Sequence, residues 1–389
     1  MIPVHQHEQT VAALLGRTER VKLPIAETLQ MVLAEDVRAP IALPSFDNSA
    51  MDGYAVRAAD IAAAPVELPV TEDIPAGRTD VPALEPGTAH RIMTGAPVPE
   101  GADTIVQVER TDAGTERVLV HEAVPVDTHI RRAGEDVTTG ADALAAGTEL
   151  TPSVLGLAGA LGLAELSVYR RPRVLVVSTG SELVPAGSRL RTGQIYDSNG
   201  LMLASAVREA GAEALTVHAV ADEVPAFLAA LRTDVDLILT SGGVSAGAYE
   251  VVKDALTAEG VTFTKVAMQP GGPQGAGRYR GVPVVTLPGN PVSSLVSFEV
   301  FVRPVLRAAA GHAVTTRPRL TARLAEELGS PAGKRQYRRG IHRDGTVRVV
   351  GGPGSHLLGA LASANCLLEV PEEAEHLPAG TEISCLDLT

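Results

Sequence analysis

Between Pro172 and Ala310 short β-branched runs alternate with amphipathic stretches, and this alternation constrains the fold more than any other feature of the sequence. Residues 173–178, 215–220, 235–240 and 282–287 read as strands. Residues 197–210 read as a helix, with Asp197 or Ser198 as its cap and Gly211 just past its end. Residues 223–232, with Pro225 in the first turn, and 249–259, stopped by Gly260, read as two more. A long helix begins at Pro291, and a kink is expected at Pro304, whose ring cannot continue a regular helical ladder. Regular β/α alternation of this kind predicts a parallel sheet covered by helices on both faces.

The flanks have a different texture. Residues 65–130 hold many Pro and Gly residues between short β-like runs such as 104–108 and 118–121, which predicts a β-rich insert domain over 44–132. Residues 1–43 and 133–168 look helical or mixed and, lying on either side of that insert, are expected to form one discontinuous linker domain. Within the second of these, 154–164 reads as a helix whose Gly156, Gly159 and Gly162 let a neighbour pack closely. The α/β domain is expected over 169–314. Strand candidates at 346–350, 367–370 and 382–386 predict a C-terminal β-rich, barrel-like domain over 315–389. The fold class is thus α/β plus β-rich domains in a multidomain chain.

Composition narrows the function. With 33 basic and 46 acidic residues the formal charge is −13, so the chain repels nucleic-acid phosphates and no DNA or RNA partner is expected. Aromatic residues are only 3% and Trp is absent, which leaves little to build a stacking platform for single strands. No apolar run approaches the ~20 residues of a membrane span, and Met1 to Thr10 has neither a basic start nor an apolar stretch, so a cytoplasmic location is expected. Cys366 and Cys385 stand outside any metal-ligand spacing and are read as packing residues. One basic cluster stands out: Lys334, Arg335, Arg338, Arg339, His342 and Arg343. It reads as a solvated hairpin face, or alternatively as a contact for a small anion.

Three polar, glycine-bearing loops follow three of the predicted strands. The first holds Thr179, Gly180, Ser181 and Glu182; the second Ser241, Gly242, Gly243 and Ser245; the third Pro288, Gly289, Asn290, Ser293 and Ser294. In an open parallel sheet such loops line a shared crevice where ligands bind. Glycine lets backbone N–H groups approach a phosphate, and hydroxyls add neutral donors. Asn290-Pro291 opens a helix whose N-terminus favours an anion. No Gly-x-Gly-x-x-Gly or Walker-type loop follows a strand, so neither a dinucleotide dehydrogenase nor a P-loop enzyme is supported. Glu182 ends the first loop, Glu250 lies past the second and three residues before Lys253, and Asp197, Ser198 and Asn199 open the helix at 197–210. Carboxylates beside phosphate-cradling loops suit a Mg²⁺ ion bridging protein and phosphate.

Taken together with Ser45–Ala55, Met93–Pro97, Arg131–Asp136 and Gly354-Ser355-His356, these segments resemble the molybdopterin molybdenumtransferase family, whose eukaryotic relatives include the C-terminal domain of gephyrin. The matching segments run in order along nearly the whole chain. The resemblance implies a homodimer of elongated four-domain subunits with a molybdopterin-binding-type α/β domain and an active cleft between subunits. It implies a reaction that joins molybdate to the dithiolene of adenylated molybdopterin with release of AMP, and a passing contact with the adenylyltransferase that supplies that substrate. Carried over by position, Glu182 and Glu250 handle metal or pyrophosphate, and Asp52 and Asp136 enter the cleft from the other subunit or organise its wall. Thr94, Gly95, Gln269, Pro270, Arg339 and Ser355 join the binding residues.

Two departures stand out. Glu250 replaces the family's usual Asp, and Gln269 stands where relatives commonly carry Lys, with Gly272 where some carry a second Lys. Gln donates hydrogen bonds without charge, so anion binding there is expected to be weaker or to be supplied by Arg278 or Arg280. The alternatives are a catalytically weakened paralogue that carries the pterin, or a molybdopterin adenylyltransferase. The latter is expected to lack the Asp52 segment. A scaffolding role has no long linker or second fused module to support it.

Overall fold

The computed structural model describes residues 1–220, 223–244 and 251–389. They form two compact units, one of Met1–Lys22, Gln30–Ala34 and Ser167–Thr389, the other of Leu23–Leu29 and Glu35–Leu166. This division is coarser than the four segments expected from the sequence. The chain opens with helix α1 (Val4–Ala12), which belongs to the first unit because its buried stripe of Val4, His7 and Val11 faces that unit's core.

The second unit is built on a five-stranded sheet. Its strands are β1 (Gly53–Val56), β2 (Val66–Ile74), β3 (Ala89–Ile92), β4 (Thr104–Gln107) and β5 (Arg117–Val120), in the order β4-β1-β3-β2-β5. Tyr54, Val106 and Val118 fill one of its cores, and Ala55, Ile92 and Ile105 another. Val37–Arg38 pairs with Asp142–Leu144, and Leu43 bridges Val137, so the chain closes on itself across the insert. Helix α2 (Pro152–Ala160) is capped by Thr151, whose hydroxyl accepts from the Val154 amide. The close packing expected around its glycines is absent at Gly156, where an added Cβ would meet open space, and at Gly159 only Ile25 is near.

The first unit carries the alternating segment. In chain order it holds β6 (Arg173–Thr179), α3 (Ser198–Glu209), β7 (Glu213–Val220), α4 (Val224–Ala230), β8 (Leu237–Ser241), α5 (Val251–Thr257), β9 (Val261–Lys265), β10 (Pro273–Tyr279), β11 (Val282–Leu287), α6 (Pro291–Ser297) and α7 (Arg303–Ala309). The strand order is β7-β6-β8-β11-β10-β9. The first four are parallel, as the alternation predicts, but β10 runs antiparallel to β11 and β9 antiparallel to β10, so the sheet is mixed. Successive residues face opposite sides. Val174 and Val176 pack with Leu203 of α3 and Val296 of α6, whereas Leu175 and Val177 pack with Phe227 of α4 and Leu256 of α5. Each such buried Val or Leu side chain stabilises the fold by about 1.5–3 kcal/mol. The expected kink at Pro304 takes another form: a π-helical turn, Phe298–Val302, sits just ahead of α7. A wider turn there relieves the clash between a proline ring and the carbonyl four residues back.

The C-terminal part is a closed barrel of β12 (Arg319–Leu324), β13 (Arg335–Arg343), β14 (Thr346–Val349), β15 (Cys366–Val370) and β16 (Glu382–Asp387). Closure runs β13-β14-β12-β16-β15 and back to β13. Cys366 and Cys385 are free thiols buried in its core beside Val347 and Leu368. The basic cluster does lie on a hairpin, β13–β14, but is not uniformly solvated: Arg339 is buried, and Arg335 pairs with Glu369 and Glu372. Among the described residues no helix is long and apolar enough to cross a membrane.

Candidate active site

The three glycine-bearing loops start level with one another. In the parallel register Ser178 lies opposite Ser241 and Ser241 opposite Leu287, so all three leave the carboxyl edge of the sheet together. They floor a cleft of about 650 Å³ lined by Thr179, Gly180, Glu182, Ser241, Gly242, Gly243, Gly289 and Asn290, with Asp197, Ser198 and Asn199 of the α3 start alongside.

Asn199 ties the loops together. Its amide Nδ2 donates to Ser241 Oγ at 2.8 Å and to the Gly289 carbonyl at 2.7 Å, joining α3 to the second and third loops. Ser241 Oγ also lies 3.4 Å from Ser294 Oγ beneath the floor. Asp197, not Ser198, caps α3, its carboxylate accepting from the Gly200 amide at 2.8 Å. Asn290 makes no side-chain cap on α6, contrary to its expected role. The helix start is also less open than expected, because Pro291 has no N–H and the Val292 amide is taken by the Ser355 carbonyl at 3.0 Å.

The glycines divide into two groups. The Gly180 and Gly242 amides donate to Val220 and Leu287 carbonyls, at 3.3 and 3.2 Å. Among the described residues no backbone partner takes the Gly243 or Gly289 N–H. Gly242 has φ +101°, and a Cβ there would sit 2.7 Å from the Thr179 carbonyl oxygen, so only glycine lets the first two loops meet. Gly180 makes room for the Glu182 carboxylate, whose oxygen would be 2.7 Å from a Cβ at that position. Glu182 itself is exposed at the mouth. Asn199 Oδ1 and Ser178 Oγ are buried and have no hydrogen-bond partner among the described residues.

A second pocket of about 280 Å³ shares Val244, Gly289 and Asn290 with the first and is lined by Gln269, Pro270, Pro288, Ser293 and Ser355. No described residue lining it carries a charge. Gln269 Oε1 accepts from the buried Gln336 amide at 3.4 Å. Arg339 does not line this pocket. It donates to the Gly354 carbonyl at 3.1 Å and to the Gly352 carbonyl, and so holds the loop that presents Ser355. Arg278 and Arg280 do not supply the missing charge. They sit where β10 turns into β11, at the opposite end of the sheet, and Arg278 donates to the Gly281 and Leu14 carbonyls.

Other expected residues lie elsewhere. Asp52, Thr94 and Gly95 come together in the second unit, where Asp52 Oδ1 accepts from the Thr94 amide at 2.7 Å and hydroxyl at 2.8 Å. Those donors hold the Asp52 carboxyl below the usual carboxylate range. Asp136 is exposed in the same unit. Ser181 is exposed beside Glu182, and Lys253 stands on the exposed side of α5, outside the cleft lining. Ser245 and Glu250 lie outside the described residues. Ile195, Tyr196 and Leu358 line the cleft although sequence reasoning passed over them, and His356, noted only as part of a matching segment, lines it as well. For Tyr196 the available signal was its place directly before Asp197.

A strand-end cleft in a doubly covered α/β sheet, in a chain that also holds a closed barrel and a β-rich insert, defines a multidomain enzyme class of the MoeA architecture. The sequence profiles of the MoeA N-terminal region (domain I and II), the probable molybdopterin binding domain and the MoeA C-terminal region (domain IV) match residues 2–162, 175–308 and 321–388. Molybdopterin molybdenumtransferase 2 of Mycobacterium tuberculosis is 55% identical over 100% of both chains. The molybdopterin molybdenumtransferase of Haemophilus influenzae is 36% identical, covering 94% of this chain and 93% of its own. A molybdopterin biosynthesis MoeA protein from Pyrococcus horikosii superimposes with a TM-score of 0.84 at 30% identity, covering 100% of this chain and 99% of its own. The chain belongs to the molybdopterin molybdenumtransferase family, transferases of molybdenum cofactor biosynthesis.

Proposed function

We propose that this chain joins molybdate to the dithiolene of adenylated molybdopterin while the adenylate is cleaved off as AMP, and that it works as a homodimer fed by the pathway's adenylyltransferase. The observation that carries this reading is the meeting of three polar loops in one cleft, the second and third stapled by Asn199, with Glu182 of the first among the lining residues. The Gly243 and Gly289 N–H groups and the Ser198 and Thr179 hydroxyls would hold the pyrophosphate and stabilise charge on the departing phosphate. No protein nucleophile is needed.

Mg²⁺ fits this arrangement. The described residues hold no group of three or more His, Cys, Asp or Glu able to cage a metal, so the ion would keep waters and take oxygens from the substrate phosphates, with Glu182 as its protein carboxylate. When bound it would neutralise charge building on the phosphate oxygens. Glu182→Gln keeps the size and removes the charge. AMP release from adenylated molybdopterin is expected to fall about 10²-fold and to need more Mg²⁺. An unchanged rate with an unchanged Mg²⁺ dependence would remove Glu182 from this role. The uncharged lining of the second pocket favours one further reading, a paralogue that binds the pterin and turns over slowly.

A further inference from the structure

We infer that Tyr196, with Ile195 beside it, is the platform on which a planar nitrogen heterocycle of the substrate stacks. The inference deepens the proposed function and rests on it. The cleft is polar along its loops but not along this wall. Ile195–Tyr196 pairs with Leu183–Val184 in a two-residue parallel ribbon, directly after Glu182 and directly before the α3 cap. Both side chains line the cleft yet stay open to solvent, Ile195 at 55% and Tyr196 at 42% exposure.

That exposure is unusual for this chain. It has 5 Phe, 6 Tyr and no Trp, and among the described residues only Phe46 and Tyr196 are aromatic side chains left exposed. The ring of Tyr196 is also held in place, since its hydroxyl donates to the Ser188 carbonyl at 2.8 Å. A pinned, open aromatic face beside phosphate-holding loops suits a ligand with a flat ring at one end and phosphate at the other. Stacking tolerates any such ring, because every heterocycle presents a π-face. The adenine of the adenylate and the pterin both qualify.

The absence of tryptophan supplies the test. Tyr196→Trp carries a single reporter, and titration with AMP or with molybdopterin, each with Mg²⁺, is expected to quench its emission saturably for the ring that stacks there. Val314→Trp, at a 66% exposed position outside the cleft lining, should not respond. By calorimetry Tyr196→Ala should weaken binding of that same ligand about ten-fold, while Tyr196→Phe, which keeps the ring and loses the pin, stays within about three-fold. If the wild-type chain binds either ligand but Tyr196→Ala binds it equally well and Tyr196→Trp is not quenched, the platform is refuted and the phosphate-holding role of the loops stands. If the wild type binds neither ligand, the reading of the cleft fails and the platform with it. Emission that shifts to the blue with protein concentration and ignores both ligands would assign this wall to a contact between copies, and would equally overturn the inference.

Discussion

Asn199→Ala tests whether the cleft depends on its staple. The substitution removes two hydrogen bonds, to Ser241 Oγ at 2.8 Å and to the Gly289 carbonyl at 2.7 Å. A net hydrogen bond contributes about 1 kcal/mol, so the ceiling is about 2 kcal/mol. The structure lowers it: Gly289 is exposed and its carbonyl can turn to water, and Ser241 Oγ keeps Ser294 Oγ and the Pro288 carbonyl within 3.4 Å. The expected loss of stability is therefore about 1 kcal/mol, small for a residue at the centre of the site. Catalysis should suffer far more, because the loops are then free to separate, and a misplacement of about 1 Å costs about 10²-fold. Urea unfolding and AMP-release kinetics would be measured for Asn199→Ala, Ser241→Ala and the double variant, with a coupling of at least about 0.5 kcal/mol expected between them. Full turnover in Asn199→Ala, or strictly additive effects, would refute the staple. A loss above about 4 kcal/mol would instead make Asn199 a core residue.

Two other substitutions probe the same reasoning. Gly242→Ala combines a φ of +101° with a Cβ 2.7 Å from the Thr179 carbonyl oxygen, so it should cost about 1–2 kcal/mol in strain alone and abolish turnover by forcing the first two loops apart. Gly281→Ala, at φ +87° with nothing within 4 Å and far from the cleft, is its control and should stay active; equal activity in the two would show that the loop contact does not matter. His7 is 1% exposed and set edge-on against Phe301 with ring centroids 4.7 Å apart, and burial pushes its imidazole down to about 4 from an ordinary 6.5. A depressed folded value means the unfolded chain takes up the proton first, so stability is complete above pH ~6.5 and falls by up to about 3 kcal/mol as pH drops towards ~4. His7→Leu should flatten that part of the profile in urea unfolding measured from pH 7 to 5, and an unchanged slope would assign the acid sensitivity to other groups.

The sequence showed the site more clearly than the scaffold around it. The three loops were legible because each follows a run of β-branched or aliphatic residues and opens with glycine and hydroxyl residues, a pattern set by chemistry over a few positions. β9 and β10 were not, because Pro273, Gly275 and Gly277 mask β10, and these glycines are required by close approach: a Cβ on Gly275 would collide with Thr286 and Phe263. β12 and β13 were hidden by arginine, since Arg339 reads as surface until the loop it holds at Gly352–Gly354 is seen. Asn290 looked like a helix cap by type and position, yet the Ser355 carbonyl, some sixty residues on, takes the neighbouring Val292 amide. Tyr196 was invisible for a similar reason. Nothing local marks a tyrosine as exposed, and its role follows from the ribbon that brings it beside Glu182.

The most direct test follows molybdenum and AMP together. Adenylated molybdopterin, Mg²⁺ and the purified chain would be mixed with and without molybdate, and the molybdenum bound to the released pterin measured against the AMP formed. The account predicts AMP release that depends on molybdate, with molybdenum and AMP appearing in equimolar amounts. AMP released equally fast without molybdate, or pterin held tightly with no AMP at all, would contradict it.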